Sequence, residues 1–308
     1  MILERNLAFR LPLLRGDDVR RAQLALIRAG ALRGEADGAF GPATRDAVLE
    51  FQRRARLPAD GIIGPVTWSR LGGEPGLQPD RPWQDGLRPF LPAITAWHGD
   101  AGRLSWRLTR AGIEIQGENA PRRNGDGAVA ARCWATYRQA LGDAARRFSV
   151  PVELLLAIAC TESAGRATAL REEPGYVDDE ATPHRVSPGL MQTLISTARE
   201  ALGDPKLDRA RLLDPAVSAA AGAAYVARQG RTGKAPTGFD PPLAAIAYNA
   251  GSLRADRNAA NPWGLVQTRR GNVWHADILC AHLGDTYARF AAGEAPDETV
   301  PSFWPLLG

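Results

Sequence analysis

The chain has 308 residues, 44% hydrophobic and 23% charged, which is more than one core usually holds and reads as about two globular domains, not a disordered chain. No apolar run approaches the ~20 residues of a membrane span, so stable membrane association is not expected. The net charge of +4 is a mild basic excess suited to an anionic polymer. Only Lys206 and Lys234 are lysines, so the arginine excess reads as genome composition and no nucleic-acid partner is expected.

The opening stretch, MILERNLAFRLPLLRGDD, mixes Glu4 and arginines with its apolar residues. It lacks the continuous apolar segment and cleavage site of a secretory signal, so synthesis in the cytoplasm is the expectation. Cys133, Cys160 and Cys280 are odd in number and far apart, which points to buried thiols and not to a disulfide framework.

A repeat follows. DGAFGPATRDAV begins at Asp37 and DGIIGPVTWSRL at Asp60, 23 residues later. Each copy places Asp-Gly, a tight turn, four residues before a Pro-started helix, and Thr44, Ala47, Val48 and Phe51 fall on one helical face. Upstream, Val19, Ala22, Leu26 and Ile27 share a face that Gly30 closes. The pattern predicts a three-helix unit over about 8–72. The stretches GDDVRRAQLAL, ADGAFGPATRDAVLEFQRR and LPADGIIGPVTWSRL resemble the peptidoglycan-binding domain family. That resemblance implies a grip on peptidoglycan. A DNA-binding helix-turn-helix and a fold without ligand stay open beside it.

Residues 73–100, rich in Pro and Gly at their start, read as a linker. Leu104, Trp106 and Leu108, then Ile113 and Ile115, alternate around Ala111-Gly112 and predict a β-hairpin. Helical patterns dominate from Ala128, with a helix through Phe148 and a second opening at Val150-Pro151.

That second helix, PVELLLAIACTES, carries Glu162 at its end, with Leu155, Ile158 and Ala159 on the same face. A carboxyl on a buried stripe is costly unless paired or protonated, and burial there favours the protonated acid a proton donor needs. A helix that ends here and turns Glu162 to solvent fits the spacing equally well. SPGLMQTLISTA (187–198) adds a turn at Pro188-Gly189, and LAAIAYNAGS (243–252) ends an apolar helix in Tyr248 and Asn249 beside Gly251.

TES, GLMQ and AYNAG in this order resemble the lytic transglycosylases with a lysozyme-like domain, over about 128–290. The whole then reads as mainly α: a small three-helix peptidoglycan-binding domain (1–72), a linker (73–100), a larger lysozyme-like α-helical catalytic domain with a short β-hairpin (101–295), and a tail (296–308). The resemblance implies Glu162 as the catalytic acid/base, with Ser163, Met191, Gln192, Tyr248 and Asn249 holding the substrate's sugars. It implies cleavage between N-acetylmuramic acid and N-acetylglucosamine with a 1,6-anhydro product, needing no cofactor or metal. Lysozyme-type hydrolysis and an inactive wall-binding component are the alternatives. The combination of domains resembles modular phage endolysins, monomers made in the cytoplasm that act on the wall after release through a pore or secretion apparatus.

Two departures from the family stand out. REEPGYVDDEATPHR (171–185) lengthens the segment between Glu162 and Gly189, and its Glu172, Glu173, Asp178, Asp179 and Glu180 form a solvated loop or supply a second carboxylate. Tyr287 is only a loose match to the family's C-terminal tyrosine. His275 and His282, seven apart on the same helix, lack a third ligand, so no metal is expected.

Overall fold

The structure is a computed structural model that describes residues 6–10, 12–55, 57, 59–72, 82–99, 103–117, 127–232 and 234–307. It divides into two compact units, Met1–Pro82 and Trp83–Gly308.

The first unit holds α1 (Asp17–Arg28), α2 (Pro42–Arg54) and α3 (Pro65–Arg70). Leu7, Val19, Leu26, Phe40, Val48, Ile63 and Trp68 fill its core, and Leu7 and Ile63 exchange both backbone hydrogen bonds. The doubled Asp-Gly motif has a structural cause. Gln23 of α1 is buried, and its Nε2 donates to Asp37 Oδ1 at 2.7 Å, Ala39 O at 3.0 Å and Thr44 Oγ1 at 3.1 Å. Its Oε1 accepts the Gly38 N–H at 2.8 Å. Gln52 of α2 repeats the pattern on Asp60 at 2.7 Å, Ile62 O at 2.9 Å, Thr67 at 3.1 Å and Gly61 N at 2.9 Å. A buried amide can satisfy all its donors and acceptors only if the loop around it is built for the purpose, which ties the repeat to folding. The Asp-Gly turns are therefore knots between a helix and the next turn.

The second unit opens with α4 (Pro82–Leu87) and α5 (Leu91–Thr95). Trp83, Leu87 and Ile94 are buried in its main core, and Trp83 Nε1 donates to Glu298 O at 3.1 Å. Residues 83–95, read as linker from their prolines, thus pack as short helices, because proline starts a helix as readily as it interrupts one. Residues 73–81 of the expected linker and 118–126 after the hairpin lie outside the described residues. The expected tail also packs: Val300, Phe303 and Leu307 are core residues. They are anchored where Val152 N–H donates to Pro301 O at 2.9 Å and Phe303 N–H donates to the buried Glu153 carboxylate at 2.6 Å. Tyr287, the loose family match, is buried with its hydroxyl 3.2 Å from that same carboxylate, and burial pushes its phenol above the ordinary range.

Strands β1 (Leu104–Thr109) and β2 (Gly112–Gly117) form the antiparallel hairpin, with Trp106 opposite Ile115 and Leu108 opposite Ile113. Gly112 is where it meets the last helix, since a Cβ there would lie 3.0 Å from Gly284 Cα. Around the core run α6 (Gly127–Phe148), α7 (Val152–Ser163), α8 (Ile195–Leu202), α9 (Arg209–Leu212), α10 (Pro215–Arg231), α11 (Pro241–Ala250) and α12 (His275–Arg289). Short strand pairs, β3 (Leu170–Glu172) with β4 (Val186–Pro188) and β5 (Arg269–Arg270) with β6 (Val273–Trp274), complete it.

α7 is apolar all round from Leu154 to Cys160 and lies wholly in the core, as such a helix must. The hairpin packs Leu104 and Trp106 with Ile246 of α11 and with Trp263, Leu265 and Trp274. Trp106 Nε1 reaches both oxygens of Asp240, 3.1 and 3.0 Å away, and Asp240 caps α11 by accepting Leu243 N–H. The hairpin thereby fixes the start of the helix that ends in Tyr248 and Asn249.

Candidate active site

The ends of α7 and α11 meet at a cleft of about 510 Å³. Glu162 lies on its wall, on the last turn of α7, where the helix is stopped by Ala164 and Gly165 in left-handed conformations (φ 53° and 73°). Its side chain is 13% exposed, so the wetted-surface alternative does not describe it. The polar group set against its carboxyl is His275, the first residue of α12: Nε2 stands 3.2 Å from Oε1, and the histidine side chain is 3% exposed.

The turn through Gly189 brings Gln192 and Thr193 to the same cleft. Gly189 has φ +87°, and a Cβ there would lie 2.0 Å from Leu212 O, so no other residue fits without moving backbone. Gln192, also left-handed at φ 50°, donates from Nε2 to Ala169 O at 3.1 Å and to Gly189 O at 2.9 Å. Tyr248 donates its hydroxyl to Met191 O at 2.9 Å and lies 2.8 Å from Thr193 Oγ1. Burial pushes its phenol well above the ordinary range, so the hydroxyl stays a neutral donor. Asn249 Oδ1 accepts the Thr268 N–H at 2.8 Å.

Of the six residues expected at the site, Glu162, Gln192, Tyr248 and Asn249 line the cleft. Ser163 and Met191 do not. Ser163 is buried, and its hydroxyl donates to Leu190 O at 2.7 Å, pinning α7 to the turn. Met191 is fully buried against Gly222, and its N–H donates to Ser218 Oγ at 3.0 Å. Ser163 is engaged by that hydrogen bond and Met191 by packing, positions that a family motif read as letters does not separate from contact with a ligand.

The inserted loop is ordered by ion pairs and is not merely solvated. Asp179 and Glu172 meet Arg209 at 2.6 and 3.2 Å, and Glu180 meets Arg199 at 2.6 Å. The Arg209 hydrogen bond holds the Asp179 carboxyl below its usual range. Asp178 accepts the N–H groups of Glu180 and Ala181, at 2.9 and 2.7 Å. Glu173 alone of the five lines the cleft, with its carboxylate 2.9 Å from Arg171 Nε.

The sequence reading missed His275 as a neighbour of Glu162 and missed Arg171, Tyr225, Thr268 and Arg270 on the cleft wall. A histidine 113 positions from its carboxyl leaves no spacing signal. Among the described residues no cluster of three or more His, Cys, Asp or Glu could hold a metal ion, and His282 stands 3.7 Å from Asp285. No described helix is long and apolar enough to cross a membrane.

Residues 15–71 match the family model described as "Putative peptidoglycan binding domain", and residues 139–264 match that of the "Transglycosylase SLT domain". An uncharacterized protein in the bpoA1 3' region of Kitasatospora aureofaciens is 46% identical over 57 residues, 18% of this chain and 48% of that protein. The N-acetylmuramoyl-L-alanine amidase CwlM of Mycobacterium tuberculosis is 46% identical over 56 residues, 18% of this chain and 14% of that protein. The chain thus spans about half the length of the first of these relatives and much less of the second. The crystal structure of the Burkholderia AP3 phage endolysin aligns over 92% of this chain and 100% of that one at 19% identity, with a TM-score of 0.26, from which no shared arrangement is read. The motif residues from Glu162 to Asn249 fall inside the second match, Thr268 and Arg270 of the cleft wall lie just beyond it, and the Gln-knotted repeat falls inside the first; the chain carries a peptidoglycan-binding domain at 15–71 followed by a transglycosylase SLT domain at 139–264.

Proposed function

We propose that the protein is a peptidoglycan lytic transglycosylase that cleaves the β-1,4 bond between N-acetylmuramic acid and N-acetylglucosamine. The observation that carries the reading is Glu162: a nearly buried carboxyl at the end of an apolar helix, opening on a cleft inside a transglycosylase SLT match. Glu162 gives its proton to the glycosidic oxygen as the bond from the muramic C1 breaks. The substrate's own N-acetyl oxygen then bonds to C1 and holds the positive charge, so no enzymic nucleophile is needed. Glu162, now a carboxylate, takes the proton of the muramic C6 hydroxyl as that oxygen closes the 1,6-anhydro ring and displaces the acetyl oxygen. Attack within one sugar gains from proximity when the ring is held still, and Gln192 and Asn249 are the polar side chains on the wall suited to hold it.

The first unit tethers the enzyme to its polymer, raising local concentration without adding contacts in the cleft. This two-part plan suits an endolysin-type enzyme that acts on the cell wall once it is released to it. A hydrolytic reading has one observation in its favour, Glu173 on the same wall as a candidate for activating water. Its pairing with Arg171 engages that carboxylate and favours transglycosylation. Mass analysis of digested sacculi separates the two. Anhydromuramic ends support the proposal, and reducing ends carrying an added water support the hydrolase.

A further inference from the structure

We propose that His275 is a positioning residue for Glu162: its Nε2 fixes Oε1 of the carboxyl and leaves Oε2 as the oxygen that exchanges protons with the glycan. The inference rests on the reading of Glu162 as acid/base. It concerns a residue beyond the matched stretch 139–264.

The geometry has three parts. Nε2 and Oε1 are 3.2 Å apart in surroundings that leave both side chains nearly buried, and no other side chain among the described residues forms an ion pair or hydrogen bond with that carboxyl. Glu162 lies on a helix that ends one residue later, at Ser163, so no following turn of α7 steadies it. The imidazole, by contrast, is held from its backbone. His275 N–H donates to Thr268 O at 3.1 Å, and Thr268 N–H donates to Asn249 Oδ1 at 2.8 Å. The start of α12 is locked by Asp277, whose carboxylate accepts Trp274 N–H at 3.0 Å and Trp263 Nε1–H at 2.7 Å.

One acid/base that must first give and then take a proton needs the same oxygen aimed at two successive places on the sugar. An imidazole presenting Nε2–H to Oε1 removes one of the two carboxyl orientations. It also supplies the orienting third group that catalytic constellations use. Such contacts are often long or poorly aligned before substrate binds, which suits a separation of 3.2 Å. Asn249, on this account, reaches the chemistry through Thr268 and His275 as well as from the cleft wall.

The test is steady-state kinetics on soluble uncrosslinked peptidoglycan strands with the full chain and its Glu162→Gln, His275→Ala and His275→Gln variants. The expected result for His275→Ala is a kcat about 100-fold lower, the size of a misplaced catalytic group, with KM within about threefold. His275→Gln, which keeps an N–H donor at similar reach, regains about tenfold or more of that loss. Melting curves separate loss of fold from loss of position, and His275→Phe, which keeps the ring without the donor, takes alanine's place if the smaller side chain unfolds the protein. A folded His275→Ala with kcat within about threefold of the parent, a rise in KM alone, or a glutamine variant no better than alanine overturns the inference. Activity surviving in Glu162→Gln instead overturns the reading of the site itself. An inert Glu162→Gln beside an unaffected His275→Ala overturns the positioning role alone.

Discussion

The hydroxyl of Tyr248, at the end of α11, donates to the backbone carbonyl of Met191 at 2.9 Å, so the two motif segments that face Glu162 are joined by a single buried side chain. Tyr248→Phe removes that donor and leaves Met191 O and Thr193 Oγ1 short of a partner. Denaturant unfolding of the variant is expected to show a loss of about 1–2 kcal/mol, with kcat reduced and folding retained. An unchanged midpoint contradicts the tie.

Gly189 stands where a methyl group would meet Leu212 O at 2.0 Å, and its φ of +87° strains any other residue. Gly189→Ala is expected to cost about 3 kcal/mol or more and to abolish activity by moving the turn. Thermal melting reads the first and glycan release the second. A melting temperature equal to the parent's contradicts the close approach.

In the first unit, Gln23→Leu keeps the volume of the buried side chain and removes the knot on Asp37, Ala39 and Thr44. The stranded partners predict a loss of about 3 kcal/mol in that unit, and Gln52→Leu a similar one, because the second knot repeats the first. Two-transition unfolding of the full chain would place both losses in the same transition. Loss of wall binding without loss of stability would instead assign these glutamines to the ligand.

His98 gives a pH signature. Its Nε2 stands 2.7 Å from Asp240 Oδ2, and that hydrogen bond raises the imidazole above its ordinary value of 6.5 against the opposing effect of burial. A pKa raised on folding contributes stability that is fully present below the unfolded value and lost as pH climbs through the folded one. The stability gap between the parent and His98→Gln is therefore expected to be widest in mild acid and to narrow as pH rises past neutrality. Urea midpoints at several pH values check this, and a gap that widens with pH contradicts it.

The legible parts of the molecule were those carried by short-range pattern. Proline-started helices and the alternation of Leu104, Trp106 and Leu108 could be read from spacing, the three motif segments from their resemblance to a family, and the paired Asp-Gly turns announced the small unit. What the turns were for was not readable, because the knots are made by Gln23 and Gln52, which look like ordinary helix residues in the chain. The packing of Trp83 and Phe303 into one core was hidden for a similar reason: proline-rich edges read alike whether they wander or pack. At the site, Glu162 could be singled out because an acid on an apolar helix is expensive. Ser163 and Met191 were placed in the cleft by motif membership, and only tertiary packing turned them inward. His275 gave no signal, since its partner comes from a helix more than a hundred residues earlier.

The central claim is that Glu162 carries the proton in both halves of glycan cleavage. Release of anhydromuramic fragments from purified sacculi by the parent and by Glu162→Gln tests it most directly, with melting curves to certify the fold. The account predicts release by the parent and a fall of about 10³-fold or more in the variant, which keeps the shape of the side chain and cannot exchange its proton. Equal release by the two proteins would contradict it.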